Sequence, residues 1–266
     1  MVRAKHKKSI MINASDPSSF PTELKSIVSA HISLIPEQEL QRIKKIRIEY
    51  KGDVLCAIES YLSPAAACRM YCEELIPIFN SYDLLCYHAT RVGSTETILK
   101  KGIFADFEQY KKYLIEFLQN EEVSAEKINQ SIELIQAEYH RKYSTSYQIC
   151  FFTNLSSLYS DDGSAAYDQF CETVGGELAN WGLEEKMQDV LNVLQTKGVP
   201  LVVEFKTPFS KISPCSQEKI IYGFVLATAA KILWDYEYKI EVDGALIGNV
   251  PQSNILKTIE QPKKSY

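Results

Sequence analysis

After His140 the chain changes character. YQICFFT (147–153) and GVPLVVEFK (198–206) are apolar runs of strand length, and YEYKIEV (236–242) alternates apolar with polar residues. Short runs rich in β-branched and aromatic residues, bounded by turn residues, read as strands. The first two are separated by helix-like text, GGELANWGLEEKMQDVLNVLQTKG (175–198), which Gly198-Val199-Pro200 closes. Upstream, Phe107, Tyr110, Leu114, Phe117 and Leu118 recur at helical spacing. A second series, Ile128, Ile132, Ile135 and Tyr139, follows a break at 120–124, with Ser124 suited to cap it. These stripes are assigned to a core. The class expected is α+β, with strands coming mainly from the second half.

Before residue 83 the text is mostly helical. A polar arm of about 20 residues ends in the turn cluster Asp16-Pro17-Ser18-Ser19. PTELKSIVSAHISLI and PEQELQRIKKI read as short helices, KIRIEYKG as a strand, and VLCAIESYL and AAACRMYCEELIPIFNSY as helices. The expected organisation is a helical region at 1–82 packing on a core at 83–260, with a frayed tail at 261–266.

Composition narrows the function classes. The net charge of -5 argues against a broad electrostatic grip on nucleic acid and leaves only focused basic patches such as KHKK, RIKKIR and KKYL. No segment approaches the roughly 18 apolar residues of a membrane span, and the apolar run near the basic N-terminus is too short for a secretory signal. Seven cysteines, an odd number embedded in apolar text, are those of a reduced protein of the cytoplasm. Cys68 and Cys72 share a helix face, but no second Cys/His pair stands at zinc-site spacing, so both are read as core side chains and no metal is expected.

One stretch stands apart. LLCYHATR (84–91) is an apolar run that ends in a histidine, a threonine and an arginine; Gly93-Ser94, the helix-like STETILKK and Gly102 follow. Side chains two apart in a strand share a face, which puts His88 beside Thr90. An imidazole and a hydroxyl together can bond a sugar diol or an amide, and Arg91 can meet a phosphate with two parallel bonds. The other reading is a histidine satisfied within a core strand.

CYHATRVGSTETILKKGIF resembles the opening strand and helix of the ADP-ribosyltransferase fold, in the branch whose first motif is H-x-T. That branch includes poly-ADP-ribose polymerases, diphtheria-like toxins, RNA 2′-phosphotransferases and bacterial DNA-modifying toxins. The resemblance implies a split β-sheet core at 83–260 and NAD as substrate. It implies that His88 bonds the NAD ribose, that Thr90 supports the nicotinamide end, and that two aromatic residues sandwich the nicotinamide ring. Tyr167, on a helix, and Tyr159, in the loop before it, are the candidates for that sandwich; the plainer reading packs Tyr167 and Phe170 inward.

The family's glutamate has two main candidates. Glu177 follows two glycines at a helix start, where backbone amides approach a ligand closely. Glu237 opens the alternating YEYKIEV run, as the last catalytic strand of several H-x-T enzymes opens; Glu241, on the same run, is a third position. Cleaving the bond between nicotinamide and ribose passes through an oxocarbenium-like state, so one carboxylate at the ribose 2′-OH suffices and no metal is needed.

The function implied is NAD-dependent mono-ADP-ribosyl transfer of the toxin, effector or phage-defence kind. The acceptor is protein, RNA or DNA, and an inhibitory antitoxin or partner protein is a further expectation. NAD hydrolysis, with water as acceptor, and a module on the same fold that binds without catalysis are the alternatives. The expected location is the bacterial cytoplasm, or a host cytosol for a translocated effector.

Overall fold

A computed structural model describes residues 11–46, 56, 69–142, 148–159 and 166–260. Most of the expected strand KIRIEYKG, the VLCAIESYL helix, Cys68 and the tail lie outside the described residues. In chain order the first elements are β1 (Met11–Ile12), α1 (Thr22–Ser33), α2 (Glu37–Ile43), a π-helical turn (Arg69–Leu75) running into α3 (Ile76–Phe79), and β2 (Asp83–Val92). Next come α4 (Thr95–Lys101), α5 (Phe107–Asn120), α6 (Ala125–Lys142), β3 (Gln148–Phe152), α7 (Ala166–Phe170), α8 (Gly176–Leu183) and α9 (Gln188–Thr196). The chain continues through β4 (Val199–Pro208), α10 (Pro214–Trp234), β5 (Asp243–Ile247) and β6 (Ile255–Glu260). The class is α+β, as the sequence leads one to expect.

The chain forms two compact units, Met1–Leu85 with Thr207–Gly244, and Cys86–Lys206 with Ala245–Tyr266. The N-terminal region is therefore completed by residues 207–244, which the linear division at residue 82 places elsewhere. In this unit the Asp16 carboxylate accepts from the Ser18 amide at 2.9 Å, which makes the expected turn. The unit's longest helix, α10, starts on Pro214 with Ser213 as its cap and ends where Asp235 turns left-handed. Phe224 of α10 meets Phe20 and Phe79, and Phe79 meets Phe209, with ring centroids 4.7 to 5.4 Å apart. Four buried phenylalanines so placed remove several hundred square ångströms from water, each worth roughly 2–3 kcal/mol.

Among the described residues YEYKIEV forms no strand with a described partner. Ile240 and Val242 are buried while Glu237, Lys239 and Glu241 are exposed, so the alternation of burial is present, and β5 begins at Asp243. A Cβ on Gly223 of α10 would lie 2.7 Å from Ile240, so this side chain packs directly against the helix.

In the second unit the strands follow the order β5-β3-β2-β4-β6 in one hydrogen-bonded sheet. The division into two sheets expected from the resemblance is not seen among the described residues. β3 runs antiparallel to β2 with Tyr87 opposite Phe152, and β6 runs antiparallel to β4 with Leu201 opposite Glu260. Leu201, Val202, Val203 and Phe205 of β4 are fully buried, as expected of a strand covered on both faces.

The helical core of this unit is made by α5, α6, α8 and α9 through Leu114, Leu118, Ile135, Leu178, Leu183 and Leu194. Ser124 does cap α6, its hydroxyl accepting from the Lys127 amide. The text at 175–198 becomes two helices because Glu185 adopts a left-handed φ of 63° between them. Gly182 lets α8 approach α6: a Cβ there would lie 2.9 Å from the Cα of Ile135.

Candidate functional site

β2 enters the second unit as an apolar strand and delivers His88, Thr90 and Arg91 to a cavity of about 110 Å³. Its other walls come from the start of β3 (Gln148, Cys150), from Phe104, Tyr110 and Tyr113, and from Phe170 and Gly175–Glu177. Gly102, at φ 81°, ends α4 as its sequence position suggests, and turns the chain into the paired main-chain bonds between Ile103 and Val250 that hold this wall.

His88 is half-buried and its Nδ1 lies 2.8 Å from the Cys150 carbonyl oxygen. A carbonyl only accepts, so Nδ1 carries the proton and Nε2 is left as an acceptor. Burial pushes the His88 pKa below its usual 6.5; the bond to Cys150 opposes this and is the smaller effect. The ring is therefore neutral at pH 7. Thr90, two residues on, is half-buried and lines the same cavity.

Glu177 stands in the first turn of α8 and is the single carboxylate among the described residues lining the cavity. Its Oε1 accepts from Gln169 Nε2 at 2.7 Å. It is delivered by Gly175 and Gly176, at φ 90° and 65°, a left-handed pair that side chains resist. A Cβ on Gly175 would stand 2.7 Å from the Tyr110 hydroxyl, which itself donates to the Gly175 carbonyl at 3.1 Å. A Cβ on Gly176 would meet nothing within 4 Å.

Arg91 also lines the cavity, but its guanidinium is bonded to main chain: Nε donates to the Cys171 carbonyl at 2.7 Å, and Nη1 lies 3.4 Å from the carbonyls of Lys197 and Gly198. The expected tyrosine sandwich is not among the lining residues. Tyr167 is buried with its ring 5.2 Å from that of Tyr159, and neither lines the cavity. Burial raises the Tyr167 pKa, with the neighbouring Cys171 thiol adding to the effect. Below it, burial pushes the Cys171 thiol up to about 12.

The flat walls come instead from Phe104, Tyr110, Tyr113 and Phe170. Tyr110 belongs to the α5 stripe assigned to the core, and Phe170 to the inward-packing reading. The Tyr113 hydroxyl accepts from the Gly93 amide at 2.7 Å, and burial pushes its pKa to about 12. Tyr113 flanks the stripe rather than belonging to it; a hydroxyl-bearing ring at a stripe's edge was the available signal.

Glu237 and Glu241 are exposed, belong to the first unit, and do not line this cavity; Glu237 borders a different groove of about 400 Å³ with Phe20 and Phe224. Among the described residues no group of three His, Cys, Asp or Glu is placed to hold a metal, and no helix is long and apolar enough to cross a membrane. No family model, curated protein or solved structure matches the chain.

Proposed function

We propose that this protein cleaves the bond between nicotinamide and ribose in NAD and transfers ADP-ribose to a protein or nucleic-acid acceptor, on an ADP-ribosyltransferase-like core. The observation that carries the reading is the meeting of His88, Thr90 and Glu177 in one cavity, from β2 and α8. About 110 Å³ suits one flat ring and the sugar edge beside it, well under the roughly 300 Å³ and more that enclose a whole drug-sized ligand. The adenylate half of NAD then lies outside.

His88 Nε2 accepts from a ribose hydroxyl, and the Thr90 hydroxyl bonds beside it. Rings of Phe104, Tyr110, Tyr113 and Phe170 wall a flat ligand and exclude water. The Glu177 carboxylate, held by Gln169, accepts from the ribose 2′-OH and stabilises positive charge developing on the sugar. The C–N bond breaks with its electron pair leaving on nicotinamide, and an acceptor nucleophile bonds to C1′ and gives up its proton.

Glu177→Gln keeps size and removes charge. It should lower nicotinamide release from NAD by at least about a hundred-fold with little change in NAD binding, whereas His88→Ala should weaken binding. Glu237→Gln, outside the cavity, should leave turnover unchanged. If wild-type protein releases no nicotinamide with a cell lysate as acceptor source, and NAD does not shift its melting, the reading falls in favour of a non-catalytic module.

A further inference from the structure

The cavity's permanent cation is already engaged. Arg91 spans two neighbouring segments: Cys171, which opens the stretch leading to Glu177, and Lys197-Gly198, which turns into β4. The first of these is tied down along its length. Cys171 Sγ lies 3.4 Å from the Thr90 carbonyl, Val174 bridges Arg91 in parallel register and donates to Leu194 at 2.9 Å, and the Gly176 amide donates to Thr173 at 2.8 Å. Gly198, at φ 79°, approaches β2 so closely that a Cβ would lie 2.5 Å from the Val92 carbonyl.

A planar guanidinium with five donors can bind several carbonyls at once; a lysine ammonium on a flexible stem cannot hold the same fork. Among the described residues, the other lining side chains carry no permanent positive charge. We infer that Arg91 is a positioning residue that fixes residues 171–176 against β2 and so sets the place of Glu177, and that the cavity reads the nicotinamide-riboside part of its substrate without gripping the phosphates. The catalytic half of this inference rests on the proposed function; the clamp itself does not.

The test compares wild type, Arg91→Lys, Glu177→Gln and the double variant on two substrates, NAD and nicotinamide riboside, which has no phosphate. A misplaced carboxylate costs turnover and spares recognition. Arg91→Lys should lower kcat by about ten- to a hundred-fold on both substrates with KM little changed, and the double variant should be no slower than Glu177→Gln. Amide hydrogen exchange at 172–177 should quicken in Arg91→Lys while that of α9 holds. A KM rise confined to NAD, additive effects in the double variant, or unchanged exchange at 172–177 would overturn the inference. Should wild type release nicotinamide from neither substrate, the proposed function fails, and the exchange result alone decides the clamp.

Discussion

Gly182 offers a test of the packing that carries Glu177. In a helix interior alanine is favoured over glycine by about 1 kcal/mol, and although Gly182 stands near the C-terminal end of α8, propensity alone has Gly182→Ala stabilise it by up to that amount. The structure reverses the sign. The added Cβ would lie 2.9 Å from both Cα and Cγ1 of Ile135 and 3.2 Å from its amide nitrogen. Ile135 is fully buried within the 18 residues of α6, so the obstacle is main chain that cannot rotate away. Overpacking costs about 1–3 kcal/mol, and a backbone obstacle places this case at the upper end. Subtracting the propensity gain leaves a net loss of about 2 kcal/mol. For a chain of this size that is about 4–8 °C in Tm, with a lower urea midpoint and an unchanged m value. Because the displaced helix bears Glu177 in its first turn, nicotinamide release should fall as well. A Gly182→Ala protein as stable as wild type would refute the close approach of α6 and α8.

Three further outcomes follow from the same geometry. Burial keeps folded His88 below its usual pKa of 6.5, so as pH falls the unfolded chain takes up the proton first; stability is not reduced by this group above that value and falls as pH drops below it, and His88→Asn, which keeps a donor for Cys150, should flatten that part of the pH–stability curve. Equal slopes in the two proteins would exclude His88 as their source. Gly176→Ala should cost only the left-handed backbone, about 1–2 kcal/mol, while Gly175→Ala adds a collision with Tyr110 and should cost more, as urea midpoints will show. Cys72, read from the sequence as a core side chain, is exposed, so iodoacetamide on the native protein should label Cys56, Cys72, Cys150 and Cys215 and spare the buried Cys86 and Cys171; labelling of Cys171 ahead of Cys150 would contradict the burial of its thiol.

The elements legible in the sequence are those whose pattern has one dominant cause. Helices α5 and α6 show a single apolar stripe because each buries one face in the core they share with α8 and α9. β2 and β4 show unbroken apolar runs, and His88 and Thr90 do share one cavity. The longest helix, α10, has no legible period because it is apolar on nearly every side: Ile220, Ile221, Phe224, Val225, Leu226, Ala227, Ala229 and Ala230 are all buried. YEYKIEV shows the alternation of burial its letters suggest, with Ile240 and Val242 buried between exposed charges, although no strand with a described partner forms there. Of the two glutamates, the glycine pair that frees the backbone pointed to the one in the cavity; position along the chain pointed to the other. The engagement of Arg91 was beyond reach, because its partners are main-chain carbonyls 80 and more residues away.

That last feature bears on how such a protein can change over evolutionary time. His88 is oriented by the carbonyl of Cys150, Arg91 by those of Cys171, Lys197 and Gly198, and Tyr110 by that of Gly175. A main-chain oxygen is present whichever amino acid occupies the position. The exposed Lys197 can therefore drift freely in identity while the acceptor it supplies stays in place. Selection would act on the donors and on the glycines that shape the turns, so two proteins with the same cavity could retain only a handful of letters in common.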